Sequence, residues 1–163
     1  MLEQRLFVLI HLKLLYHNLG TYHLEWYLWA MSKKIRVLVV EDHDIIGKVM
    51  VELVESTGCD VDIAKNGEKS LELYQENKYG LIFMDLGLPD IDGYEVTKKI
   101  REGEKGRGHT PIIGLSAQTD RLVMQKAIDS GMDEFIVKPL THARCVMSIS
   151  KYCDYNFLDF KEN

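Results

Sequence analysis

Asp85 stands directly after the apolar run Leu81, Ile82, Phe83, Met84, which has the composition of a strand buried on both faces. Its carboxylate therefore emerges where such a strand leaves the sheet, and open α/β sheets bind ligands at that carboxyl edge. Taken alone, an Asp in this place is better explained by a turn or a helix cap, with Pro89 and Gly93 shaping the loop beyond it. Three more strand-like runs end in polar groups: Glu41 and Asp42 follow residues 35–40, Ser116 ends residues 111–116, and Lys138 ends residues 134–138. If these ends share one edge, three carboxylates converge, and either their pKa values rise or a cation joins them. An all-oxygen, partly open site suits Mg²⁺, which takes few protein ligands and keeps several waters. Lys138 would add a fixed positive charge and Ser116 a short donor. Together these groups could stabilise a phosphoryl group in an in-line transfer, with Asp85 as the nucleophile that forms an acyl phosphate.

Such a site requires strands alternating with helices. The first strand is β-branched (Ile35, Val37, Val39, Val40). After it, Ile45, Ile46, Val49, Met50, Leu53 and Val54 repeat as one helix face that stops at Gly58. Residues 60–64 read as a second strand, and Asn66 as the cap of a helix that buries Leu71 and Tyr74. The Asp85 strand is third. A helix from about Gly93 to Arg101 follows it, then a polar loop over residues 102–109. The fourth strand has Pro111 at or just before its first residue, where a missing donor costs least. Thr119 or Asp120 can cap the next helix, which ends at Ser130 and Gly131; the fifth strand is closed by Pro139, and a last helix starts near Thr141. Five βα units with right-handed crossovers imply a parallel sheet with helices on both faces.

Hydrophobic residues make up 46% of the 163 positions and charged residues 28%, enough apolar material for a full α/β core. The net charge is −5. Residues 1–31 are balanced, with Arg5 and Lys13 against Glu3 and Glu25, so the acid excess lies from Ser32 onward and argues against a basic nucleic-acid surface. The three cysteines, Cys59, Cys145 and Cys153, are widely spaced, which fits a reducing, cytoplasmic setting better than a disulfide framework or structural zinc. Residues 1–31 are rich in Leu, Tyr and Trp and suggest a helix with a narrow polar stripe. His11, Lys13, His17, Asn18 and His23 interrupt every run approaching the roughly 18 apolar residues of a membrane span. The segment reads as a packing or dimerisation helix, or as residues upstream of a natural start at Met31. The chain thus divides into an extension over 1–31, a domain over 32–152 and a tail over 153–163.

Four pieces, Val39-Val40-Glu41-Asp42, the stretch from Met84 to Gly93, Leu115-Ser116-Ala117 and Val137-Lys138-Pro139, resemble the receiver domains of two-component response regulators. The resemblance runs from about Lys33 to Tyr152 and implies a flavodoxin-like sheet of order 2-1-3-4-5. It implies that Asp85 is the phosphoacceptor and that Mg²⁺ is held by Asp42, Asp85 and the Gly87 backbone carbonyl, with Glu41 acting through a water. Ser116 would bond a phosphoryl oxygen, Lys138 would pair with the phosphate, and Phe135 would be the switch aromatic. Phe135 carries no hydroxyl, so its switching must work by packing. Gly87 has no side chain, and Gln118 is the other residue near the attacking water. The implied donor is a histidine kinase or a histidine phosphotransfer domain; residues 109–113 and Lys138-Pro139-Leu140 look like receivers of hybrid sensor kinases. The implied output is a downstream protein bound on the face of the fourth helix, fifth strand and fifth helix, without direct nucleic-acid contact.

Two other classes compete. A phosphohydrolase with an aspartyl nucleophile would want a second carboxylate two residues beyond it, and that position is Gly87. A constitutive scaffold could keep the fold without phosphorylation, although all the polar groups of the site are present. The reading adopted is a signalling domain limited to self-phosphotransfer and slow self-dephosphorylation, rather than a turnover enzyme.

Overall fold

The computed structural model describes residues 35–104 and 108–153. The helix expected over 1–31, its part in a dimer, and the tail from residue 154 lie outside the described residues. The elements are β1 (Arg36–Val40), α1 (Asp44–Glu55), β2 (Asp60–Ala64), α2 (Gly67–Glu76), β3 (Leu81–Asp85), α3 (Gly93–Gly103), β4 (Ile112–Ser116), α4 (Arg121–Asp129), β5 (Glu134–Val137) and α5 (His142–Cys153). All pairings are parallel and the order is β2-β1-β3-β4-β5, as expected. Several boundaries shift by a residue or two from the sequence reading: β1 begins at Arg36, β5 stops at Val137, leaving Lys138 just outside the ladder, α3 runs on to Gly103, and α5 includes Cys153.

Because side chains alternate along a strand, the sheet divides its apolar residues between two layers. Val37, Val39, Leu81, Phe83, Ile113 and Leu115 pack with Met50 and Val54 of α1 and with Cys145, Ile149 and Cys153 of α5. Leu38, Val40, Ile82, Met84 and Ile112 pack with Tyr74 of α2, Val96 and Ile100 of α3, and Ala127 of α4. β3 and β4 are buried along their whole length, which explains their unbroken apolar sequences. Each cysteine is buried, and none forms a disulfide.

One helix face is displaced from its expected position. In α1 the inner row is Gly47, Met50 and Val54, whereas Ile45 and Val49 stand 69% and 50% exposed and Ile46 is 40% exposed. Gly47 is the reason the helix sits this way round. Its missing side chain admits Ile63, whose Cδ1 would lie 2.7 Å from a Cβ there, so the helix leans on the sheet through that row.

Caps and close contacts hold the connections. The expected caps at Asn66 and Asp120 are present, and Asp92 caps α3 through the Glu95 amide. Gly58 and Gly131 end α1 and α4 with φ of 86° and 100°, the left-handed region where a side chain would be strained. At the opposite edge from Asp85, Arg101 donates to the Gly131 and Thr110 carbonyls and to Glu104 and Asp133, tying α3 to the start of β4 and β5. His109, in the loop read as merely polar, joins this network through Asp133 at 2.6 Å.

Beyond Asp85, Asp90 reaches across to α2, where Oδ1 accepts the Gly67 amide and Oδ2 the Glu68 amide, both at 2.8 Å. Burial alone would raise the Asp90 pKa, but the amides of Glu68, Gly67 and Ile91 outweigh it and hold it at about 2 against an ordinary 3.8. The folded value lies below the unfolded one, so this stabilisation is complete above the unfolded value and is lost as pH falls through the folded one. Native protein should accordingly lose stability more steeply than Asp90→Asn between about pH 4 and about pH 2 in urea denaturation, and parallel curves would contradict this. Gly93 makes a second close approach: a Cβ there would stand 2.3 Å from the Asp85 carbonyl oxygen. Gly93→Ala should cost about 1–3 kcal/mol in the same measurement.

Candidate functional site

The registers of the sheet bring the strand ends to one edge. Asp85 closes β3 level with Leu115, Ser116 closes β4 level with Val137, and Glu41 and Asp42 follow β1. Oxygens of Glu41, Asp42 and Asp85 lie within 4.8 Å of one another, so the predicted acidic cluster is formed. Glu41 is 1% exposed and Asp85 7%, while Asp42 faces solvent, which leaves the cluster open on one side.

Lys138 closes the inner side. Its Nζ donates to Glu41 Oε2 at 2.6 Å and to Asp85 Oδ2 at 2.8 Å. Burial lowers its pKa, but the hydrogen bonds and attraction of Asp85 and Glu41 outweigh burial and raise it above the ordinary lysine value, so the ammonium stays charged. The remaining oxygen of Asp85, Oδ1, accepts the Gly87 amide at 3.1 Å, which folds the start of the β3–α3 loop over the carboxylate. The Ser116 hydroxyl accepts the Gln118 amide at 3.1 Å; it stands on the neighbouring strand, at the same edge as Asp85.

Phe135 does not reach this edge. It pairs with Gly114 inside the β4–β5 ladder and packs, partly buried, against the layer that contains Leu86 and Met132. Gly114 leaves room there: a Cβ would lie 2.6 Å from Met132 Sδ and 3.7 Å from Phe135 Cδ2. Asp90 was not singled out from the sequence. Its only local signal is a carboxylate after Pro89, and its partners, Gly67 and Glu68, are 23 and 22 residues away.

The donor set is all carboxylate, with space at the exposed Asp42 side, so the residues present fit a hard divalent cation such as Mg²⁺. Glu41, Asp42 and Asp85 are the groups that could hold it. Lys138 contacts two of the three carboxylates, but its single positive charge offsets only one of their three negative charges, which leaves about the charge that one divalent ion would balance.

The response regulator receiver domain family matches residues 37–150. Hybrid signal transduction histidine kinase L of Dictyostelium discoideum is 35% identical over 123 residues, 72% of this chain and 7% of that protein. Transcriptional regulatory protein SrrA of Staphylococcus aureus is 34% identical over 113 residues, 69% of this chain and 45% of that protein. The chain therefore spans less than half the length of these curated relatives. Among solved structures, the receiver domain of Ssk1 from Saccharomyces cerevisiae, crystallised with the histidine phosphotransfer protein Ypd1, superimposes with a TM-score of 0.70 at 30% identity, covering 78% of this chain and 95% of that one. A receiver domain of a Pseudomonas aeruginosa sensor histidine kinase, with magnesium in its active-site cleft, gives 0.68 at 28% identity over 74% and 98%. Strand order, acidic cluster and sequence agree, and the chain belongs to the response regulator receiver domain family.

Proposed function

We propose that this chain accepts a phosphoryl group from a phosphohistidine donor onto Asp85 with Mg²⁺ bound, and that the acyl phosphate changes which protein it binds. The observation that carries this reading is Lys138 held between Glu41 and Asp85 beside the open acidic cluster. An Asp85 carboxylate oxygen attacks phosphorus, the phosphorus–nitrogen bond to the donor imidazole breaks, and its electron pair returns to that nitrogen. Bound Mg²⁺ would supply positive charge to the transferring oxygens, held by Asp42, Asp85 and the Gly87 carbonyl, with Glu41 acting through a water. Lys138 offers its ammonium to the same oxygens, and Ser116 its hydroxyl proton, which the bond it accepts from the Gln118 amide does not engage. Phe135, packed beside the notch at Gly114, is the aromatic that responds.

Two surfaces support the partner side. The donor must dock around the carboxyl edge, and Ile45, Ile46 and Val49 stand exposed on α1 immediately after the loop that bears Asp42. For the downstream protein, Leu122 (82% exposed) on α4 and Met147 (70%) on α5 present apolar groups on the helices before and after β5. No helix among the described residues is long and apolar enough to cross a membrane. The domain is assigned to the cytoplasm, where histidine kinases and phosphotransfer domains meet their receivers.

Incubation with acetyl phosphate and Mg²⁺ should add one phosphoryl group by intact mass, with none on Asp85→Asn and none under chelation. Labelling that survives in Asp85→Asn would remove that residue from its role, and an unlabelled native chain would favour the scaffold. Continuous turnover of a phosphomonoester would instead favour a phosphohydrolase. Lys138→Met should lose up to about 3 kcal/mol of stability without Mg²⁺, because Glu41 and Asp85 are left uncompensated. Mg²⁺ should then raise its melting temperature more than that of the native chain, a difference read directly by calorimetry.

A further inference from the structure

The β3–α3 loop carries Gly87, and its internal anchors are Gly87 N–H on Asp85 Oδ1 at 3.1 Å and Gly93 N–H on the Leu86 carbonyl at 3.2 Å. Neither anchor can set the distance between this loop and the end of β1, because both lie within the β3–α3 connection. Asp90 does reach outside it, to the Gly67 and Glu68 amides that open α2. That helix already has a cap of its own in Asn66, whose side chain accepts the Lys69 amide at 2.8 Å. Contact around the clamp is close, since a Cβ on Gly67 would lie 2.9 Å from the Ile91 carbonyl oxygen and 2.8 Å from Val96 Cγ2. On its other side α2 begins shortly after Ala64, whose carbonyl accepts the Glu41 amide at 3.0 Å. A short path of hydrogen bonds and backbone thus runs from the Gly87 loop through Asp90 and the start of α2 to Glu41 and Asp42.

We propose that Asp90 is a positioning residue of the cation site: with the Asp85–Glu41 distance already set by the β1–β3 ladder and Lys138, Asp90, clamped on α2, fixes the loop backbone that carries Gly87 against the segment that carries Glu41 and Asp42. The proposal rests on the Mg²⁺ reading given above. Two bonds from one planar carboxylate to successive amides define an orientation as well as a distance, whereas a single bond would leave a hinge. Groups that orient ligands in this way commonly govern metal affinity without touching the metal.

The test is a calorimetric Mg²⁺ titration of the full chain as native protein, Asp90→Ala, Asp90→Asn and Asn66→Ala, at about 0.15 M and about 1 M ionic strength. At the higher value the Debye length is about 3 Å, so the mere loss of a surface charge counts little. Asp90→Ala should weaken Mg²⁺ binding roughly tenfold at both salts. Asp90→Asn should lose less, because its amide oxygen can still accept one of the two bonds. Asn66→Ala should bind Mg²⁺ as the native chain does, although it removes a cap from the same helix end. If Asn66→Ala and Asp90→Ala weaken binding equally, or Asp90→Ala binds normally, Asp90 only caps α2 and the proposal fails. A loss that vanishes at high salt would reassign the effect to charge and overturn it too. A native chain that takes up no Mg²⁺ would sink the cation reading first, and this proposal with it.

Discussion

A single ammonium group joins three separate stretches of the fold. Lys138, after the edge strand β5, is bonded to Glu41 after β1 and to Asp85 at the end of β3, partners 97 and 53 residues away. Glu41 is almost wholly buried, and an isolated carboxylate in that position would be expensive. The pair is tolerable because the opposite charge stands at hydrogen-bond distance, and that distance exists only while β1, β3 and β5 keep their places in the sheet. Fold and site therefore share one electrostatic requirement.

The apolar layers meet that requirement from both sides. β3 is covered by α1 and α5 on one face and by α2, α3 and α4 on the other, so Asp85 issues from the most constrained strand of the sheet. Close backbone approaches extend that constraint into the loop beyond, where Gly93 sits against the Asp85 carbonyl and Asp90 grips α2. Rigid backbone with an open, charged rim suits the proposed site, which would admit a cation and a phosphoryl group without moving the backbone that carries its ligands.

The helix surfaces carry a different kind of information. Ile45, Ile46 and Val49 on α1, and Leu122 and Met147 farther along the chain, are apolar groups that the core does not use. Under the proposed function, in which the output is a change of partner, such groups have a use. They also show why the α1 stripe was misplaced from sequence: one apolar stripe wide enough to serve two surfaces reads as a single inward face until the neighbouring sheet decides which row it accepts.

Much of the architecture was legible without coordinates. The runs at residues 35–40 and 81–85 read as buried strands, alternation with helical spacing implied parallel crossovers, and on that reading the polar residues that end those runs share one edge. Asn66 and Asp120 were readable as caps because their partners lie within a few residues. The rest depends on contacts between distant segments. That Lys138 bridges Glu41 and Asp85, that Gly47 turns α1 onto Ile63, and that Asp90 belongs to α2 rather than to its own loop are facts of packing. Periodicity and spacing report what each segment prefers by itself, and which segment it meets is decided only when the chain closes on itself.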